Sequence, residues 1–429
     1  MESTGVRWIV GQGPQPERLL SYLTAAQMVP ILALGISGGL LADRVNRKQL
    51  LLWTQAAMML IAAALTAAAF LGRATPQVLI ALSLLQGVSM AFNIPAWQVL
   101  TPRLVPRDEL TRAIHLNGLQ FNLARVLGPA LAGAVMTISV AHGAAILFAL
   151  NTASFLGVLL AVAGTPDAPA PPRDPASAWG RTAAALSFVF HERGPRAVFL
   201  AIVLFSMLAG PLLTMLPVFV TSVYRLHADT FGTLLAVMGC GAVAAVGLLK
   251  VVPHWYPKHH SIPAAVLGGG ATILLLCLTS SVLVAAICLF FAGAFWLLTF
   301  NQAFAAMQHL VDDRMRGRVM AICNTAAFGA TPLGAVLAAE IAHRGPWAAS
   351  DGLGVRVGVG ALAAVLAVAG LVMLIWRTPE VDGLRPGDDG HDRRPGLWRG
   401  ITAAAHRPAR PVARPEPTLP TEPEAPGQI

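Results

Sequence analysis

Asp43, Arg44, Arg47 and Lys48 crowd into six positions of the stretch GGLLADRVNRKQLLL, between two long apolar runs. One carboxylate and three bases at this spacing suit ion pairing and contacts with helix ends rather than bond-making. Asp43 stands where it can pair with a base or face the positive N-terminus of another helix. Arg44, Arg47 and Lys48 hold a short turn on the cytoplasmic side of a membrane.

A second group of polar residues sits inside apolar stretches. Arg125 lies thirteen positions past Arg112, about 20 Å along a helix, near the middle of a bilayer. An arginine there faces the bundle interior or an aqueous cavity. Asn122, Arg125 and Pro129 share one helical face. Two readings stand: contact with an anion or substrate, or satisfaction by carbonyls and by Gln120 or Asn122. Asn93, Trp97 and Gln98, with Asn301 and Gln302, are candidates to line a cavity for an amphipathic ligand; interhelical hydrogen bonding is the competing role. Acids are scarce, and within the spans only Glu340 is found. The four cysteines lack CxxC spacing and lie in apolar stretches, so neither disulfides nor metal ligands are expected. His254, His259 and His260 fall in a loop, and no phosphate-binding glycine loop occurs, so neither an enzyme nor a cofactor is expected.

The elements that position these residues follow from composition. The chain of 429 residues is 55% hydrophobic and 12% charged, with a mean hydropathy of +0.65. Soluble domains carry about twice that charge fraction. About eleven runs reach the length of about 20 residues that spans a hydrocarbon core: 21–42, 50–71, 77–101, 113–137, 141–163, 197–222, 230–250, 262–280, 282–306, 318–341 and 354–376. The class is an all-α polytopic membrane protein. The net charge of +9 resides in loops and tail, which the positive-inside rule explains without a nucleic-acid partner. Alternate loops are basic, which places the linker and the C-terminus in the cytoplasm and residues 1–20 outside; the expected location is the inner (plasma) membrane. The expected organisation is a non-spanning segment 1–20, a helical bundle 21–163, a Pro/Ala-rich cytoplasmic linker 164–196 with an amphipathic piece near Ser177–Glu192, a second bundle 197–376 and a disordered tail 377–429. GVSMAFNIPAWQVLTPRLV (Gly87–Val105) and GAFWLLTFNQAFAAMQHLV (Gly293–Val311) have equal length and matching ends, as a duplicated half would produce.

The order G-x-x-x-D-R-x-x-R-K from Gly39 to Lys48 resembles the signature of the major facilitator superfamily. Residues Ala91–Gly133 and Leu310–Ala338 resemble the branch that contains the enterobactin exporter and similar bacterial secretion proteins. The resemblance implies two bundles of helices related by a pseudo-twofold axis, twelve in the family against about eleven here. It also implies a gating role for Gly39, Asp43, Arg44, Arg47 and Lys48. Gly128-Pro129 with Gly133 resembles the antiporter motif, although a packing kink is the alternative. The implied activity is export of a small amphipathic molecule, a siderophore or a drug, by alternating access driven by protons, from a monomer. An inactive remnant or an interaction subunit is the other reading. It arises because the signature loop should follow the second helix and only one span precedes it, as a deletion, frameshift or late start would give. Ser83 stands where the superfamily often has an arginine before Gln86-Gly87. The loop KVVPHWYPKHHS lacks the acid of its first-half counterpart.

Overall fold

Runs of Leu, Ala, Val and Ile too long for a soluble core element fold as helices, because a helix satisfies every backbone group inside lipid within its own segment. The computed structural model describes residues 2–11, 15–42, 45–100, 109, 132, 135, 142–165, 178–251, 257–349 and 352–382. Among them are twelve α-helices and no strand. In chain order these are α1 Glu2–Gly11, α2 Pro16–Ala42, α3 Arg47–Phe70, α4 Pro76–Leu100, α5 Gly143–Ala163 and α6 Ala178–His191. They continue with α7 Arg193–Val218, α8 Ala228–Val251, α9 Lys258–Leu278, α10 Val282–Leu310, α11 Asp313–Arg344 and α12 Leu353–Ile375. All but α1 and α6 are long and apolar enough to cross a bilayer, which gives ten spans among the described residues. The expected span 113–137 lies outside the described residues.

The packing repeats. In the first half α2 meets α4, and α3 meets α4 and α5; in the second, α8 meets α10, and α9 meets α10 and α12. The two aligned glycines of the sequence repeat make equivalent contacts. A β-carbon at Gly87 would press on the carbonyl of Gln27 in α2, and one at Gly293 on the carbonyl of Met238 in α8. Small residues at these points let the helix backbones approach.

Helix boundaries differ from expectation in three places. Residues 1–20 hold α1 and the first turn of α2, whose apolar span starts at Pro16. The linker holds α6, which buries Ala185 and Val189 against the second half, and α7 already begins at Arg193. Residues 377–382 are ordered against the bundle: Val381 is buried, and a single 3-10 turn, Pro379–Asp382, packs beneath α7, α9 and α10.

That turn fastens the second half. Both carboxylate oxygens of Asp382 accept backbone N–H bonds at the start of α9, from Lys258 at 2.7 Å and His259 at 3.3 Å, and the His259 ring contacts the same carboxylate. Glu380 pairs with Arg193 at 3.7 Å. In the first half the equivalent closure uses other chemistry. Lys48 Nζ, in the first turn of α3, donates to the Thr165 carbonyl just past α5 at 2.6 Å. An Asp382→Ala substitution removes an N-cap, so a loss of about 1 kcal/mol is expected. A melting temperature lowered by a few degrees in detergent checks it.

Prolines shape α7. Pro211 and Pro217 lack the N–H that would bond the carbonyls of Met207 and Leu213, four residues earlier. Gly334 of α11 packs directly on the first carbonyl. The second accepts a bond from Arg7 Nη1 of α1 at 3.3 Å. A π-helical turn, Phe219–Val223, then ends the span.

Candidate substrate cleft

Among the described residues a buried cluster joins the two halves at one end, and none joins them at the other. At the end that carries Pro16 and Arg344, one buried cluster unites Val6, Leu20, Leu23, Leu65 and Phe148 of the first half with Leu212, Phe219, Phe231, Ala339 and Val359 of the second. At the opposite end the described residues form two separate clusters. One contains Leu51, Ala96 and Val162 of the first half; the other contains Ala185, Ile202, Ile262, Met307 and Val319. Among the described residues no buried cluster joins the halves at the end that bears Arg47, the arrangement that a cleft between bundles would leave.

The sealed end is made by α1 and α2 against α7, α8 and α11. Trp8 stacks on Phe231 with ring centroids 5.7 Å apart. Thr24 and Thr214 share a buried hydroxyl contact at 3.3 Å. Between α2 and α11, Glu17 meets His343 Nε2 at 3.3 Å and Arg18 Nε meets Glu340 Oε1 at 3.6 Å. The other oxygen of Glu340 lies 2.8 Å from Arg344 of its own helix. Farther along, Leu32 lies against Gly329 and Gly35 against Thr325. Residue numbers rise on α2 as they fall on α11, as two antiparallel helices in one register require.

The expected gating residues are described in part. Gly39 lies in the last turn of α2, and Asp43 and Arg44 lie outside the described residues. Asn46 caps α3 by accepting from the backbone of Lys48 and Gln49, so Arg47 and Lys48 open that helix. Arg47 is buried at 3% exposure. Among the cavity candidates, Asn93 is 7% exposed and donates through Nδ2 to Thr54 Oγ1 of α3 at 2.9 Å. Ser261 of α9 bonds the side-chain oxygen of Gln302. These two amides therefore hold neighbouring helices together, since a buried amide without a partner would be destabilising. Trp97 on α4 and Asn301 on α10 are exposed. Gln98 belongs to α4, but its side chain lies outside the described residues, as do Asn122, Arg125, Gly128, Pro129 and Gly133. Among the described residues no cluster of His, Cys, Asp or Glu has the makings of a metal site.

Sequence reasoning missed Glu17, Arg18 and His343. Their partners are more than 300 positions away, and no local pattern marks such a pairing. Only Glu340, an acid inside an apolar run, offered a signal.

Replacing Asn93 with leucine tests its assignment. Loss of one interhelical bond is worth on the order of 0.6 kcal/mol in a membrane bundle. A slightly lower melting temperature with unchanged substrate affinity is expected in a transport assay; a lining role would weaken affinity instead.

Known proteins share this architecture. The chain is similar to a crystal structure of a D-xylose–proton symporter, with a TM-score of 0.69 at 13% identity, over 89% of this chain and 93% of that one. It is also similar to a bacterial homologue of the human lysosomal transporter Spinster in an inward-facing, unoccupied conformation, with a TM-score of 0.65 at 14% identity, over 87% and 94%. In sequence it is 26% identical to the staphyloferrin A transporter of Staphylococcus aureus across 337 residues, 78% of this chain and 83% of that protein. An uncharacterized MFS-type transporter of Sinorhizobium fredii is 26% identical over 231 residues, 53% of this chain and 56% of that protein. Residues 1–393 match the transmembrane secretion effector family as a whole. The protein is a multi-pass membrane transporter of the major facilitator type and belongs to the transmembrane secretion effector family.

Proposed function

We propose that the chain exports a small amphipathic molecule, a siderophore or a drug, by alternating access in the inner (plasma) membrane. The observation that carries the mechanism is the division of the core among the described residues: one cluster spans both halves at the Pro16 end, and none does at the Arg47 end. Rocking the halves about such an arrangement exposes a midplane site to each side in turn. The basic residues Arg47, Lys48, Arg193, Arg196, Lys258, Arg316 and Arg377 gather at the second end, which supports a cytoplasmic C-terminus and a state open inward. The staphyloferrin A relative supports a siderophore as the cargo. Protons drive the cycle on this reading, and a single copy of the chain suffices. Glu17 and Glu340 are carboxylates placed between the halves, each paired across the seam.

The test is siderophore efflux from cells that lack their own exporters and express the chain. Extracellular siderophore rises with the chain and falls when a protonophore collapses the gradient. No gradient-dependent efflux of any siderophore or fluorescent drug overturns the reading.

A further inference from the structure

A groove of about 420 Å³ lies between α9 and α12, near the sealed end. Its walls are Leu274, Cys277, Leu278, Leu353, Val357 and Gly360, with Ala361 and Ala364 beyond. Leu278 is 71% exposed, so the groove opens outward from the bundle. From Arg356 to Ala364 the groove follows α12 for about 12 Å, the reach of a good part of one acyl chain.

Arg356 closes the headgroup end. Its Nη2 donates to the Thr279 carbonyl at 2.9 Å and to Ser280 Oγ at 2.6 Å, where α9 ends. These bonds fix the guanidinium plane and leave Nη1 and Nε uncommitted among the described residues, where no carboxylate pairs with it. A held cation beside an apolar channel of acyl width matches one kind of molecule.

We infer that the α9–α12 groove binds one anionic phospholipid, its phosphate on Arg356 and an acyl chain along Gly360 to Ala364. This site is separate from the substrate cleft and does not depend on the direction or cargo of transport.

Native mass spectrometry of the purified full chain with equal amounts of phosphatidylglycerol and phosphatidylcholine tests it. One phosphatidylglycerol is retained in preference by about fivefold. Arg356→Gln removes the preference. Gly360→Leu, whose side chain fills the groove beside Cys277, lowers retention of both lipids while the melting profile shows a folded protein. Equal retention of the two lipids by the natural chain, an unchanged preference in Arg356→Gln, or undiminished retention in Gly360→Leu, overturns the inference.

Discussion

Arg18→Glu parts the two halves at the Pro16 end. Arg18 is the first-half partner of Glu340, and its reversal sets three carboxylates, at positions 17, 18 and 340, against one another. The lost pair is worth about 1 kcal/mol at this exposure. Repulsion adds a comparable amount. About 2 kcal/mol shifts the ratio of closed to open forms roughly thirtyfold. Spin labels at Leu71 and Leu283, exposed residues of opposite halves at this end, report the change as a longer distance component. The double charge reversal Arg18→Glu with Glu340→Arg restores most of the short component. A distance unchanged by Arg18→Glu would show that the apolar seal alone holds this end.

Gly334→Val yields no folded protein. A β-carbon at Gly334 would overlap the Met207 carbonyl oxygen, which Pro211 has left outside the helix ladder of α7. Neither partner is a flexible side chain that could swing aside. Overpacking ordinarily destabilises by about 1–3 kcal/mol, and collision with a backbone falls at or above the top of that range. Total stabilities of about 5–15 kcal/mol leave little margin. Gly157→Val is the control, because nothing lies within 4 Å of a β-carbon there. Detergent-solubilised Gly157→Val elutes as a single monodisperse peak, and Gly334→Val is lost to aggregate.

What could be read beforehand followed range of interaction. Spans are local features, set by length and apolar content, so α3, α5 and α9 were legible within a few residues. The duplication was legible as well, since Gly87 and Gly293 recur at the same place in both copies and meet corresponding helices, α2 and α8. By contrast, α1 is ten residues long and bounded by glycine and proline, so no apolar run announced it. Asn93 illustrates a different limit. Composition marked it as polar among apolar neighbours, yet a ligand contact and a bond to Thr54 leave the same trace in a sequence. The ion pairs between α2 and α11 join positions that only the folded chain makes adjacent.

The fastening of Asp382 to the start of α9 bears on how this protein can be handled. Fluorescent or affinity fusions belong beyond residue 382; a stop codon placed where the last span ends, at Ile375, would strip the second bundle of its clasp while the first kept its own through Lys48 and Thr165. Two bundles that share a scaffold would then come apart at different temperatures, and a shortened variant would be mistaken for an intrinsically fragile transporter.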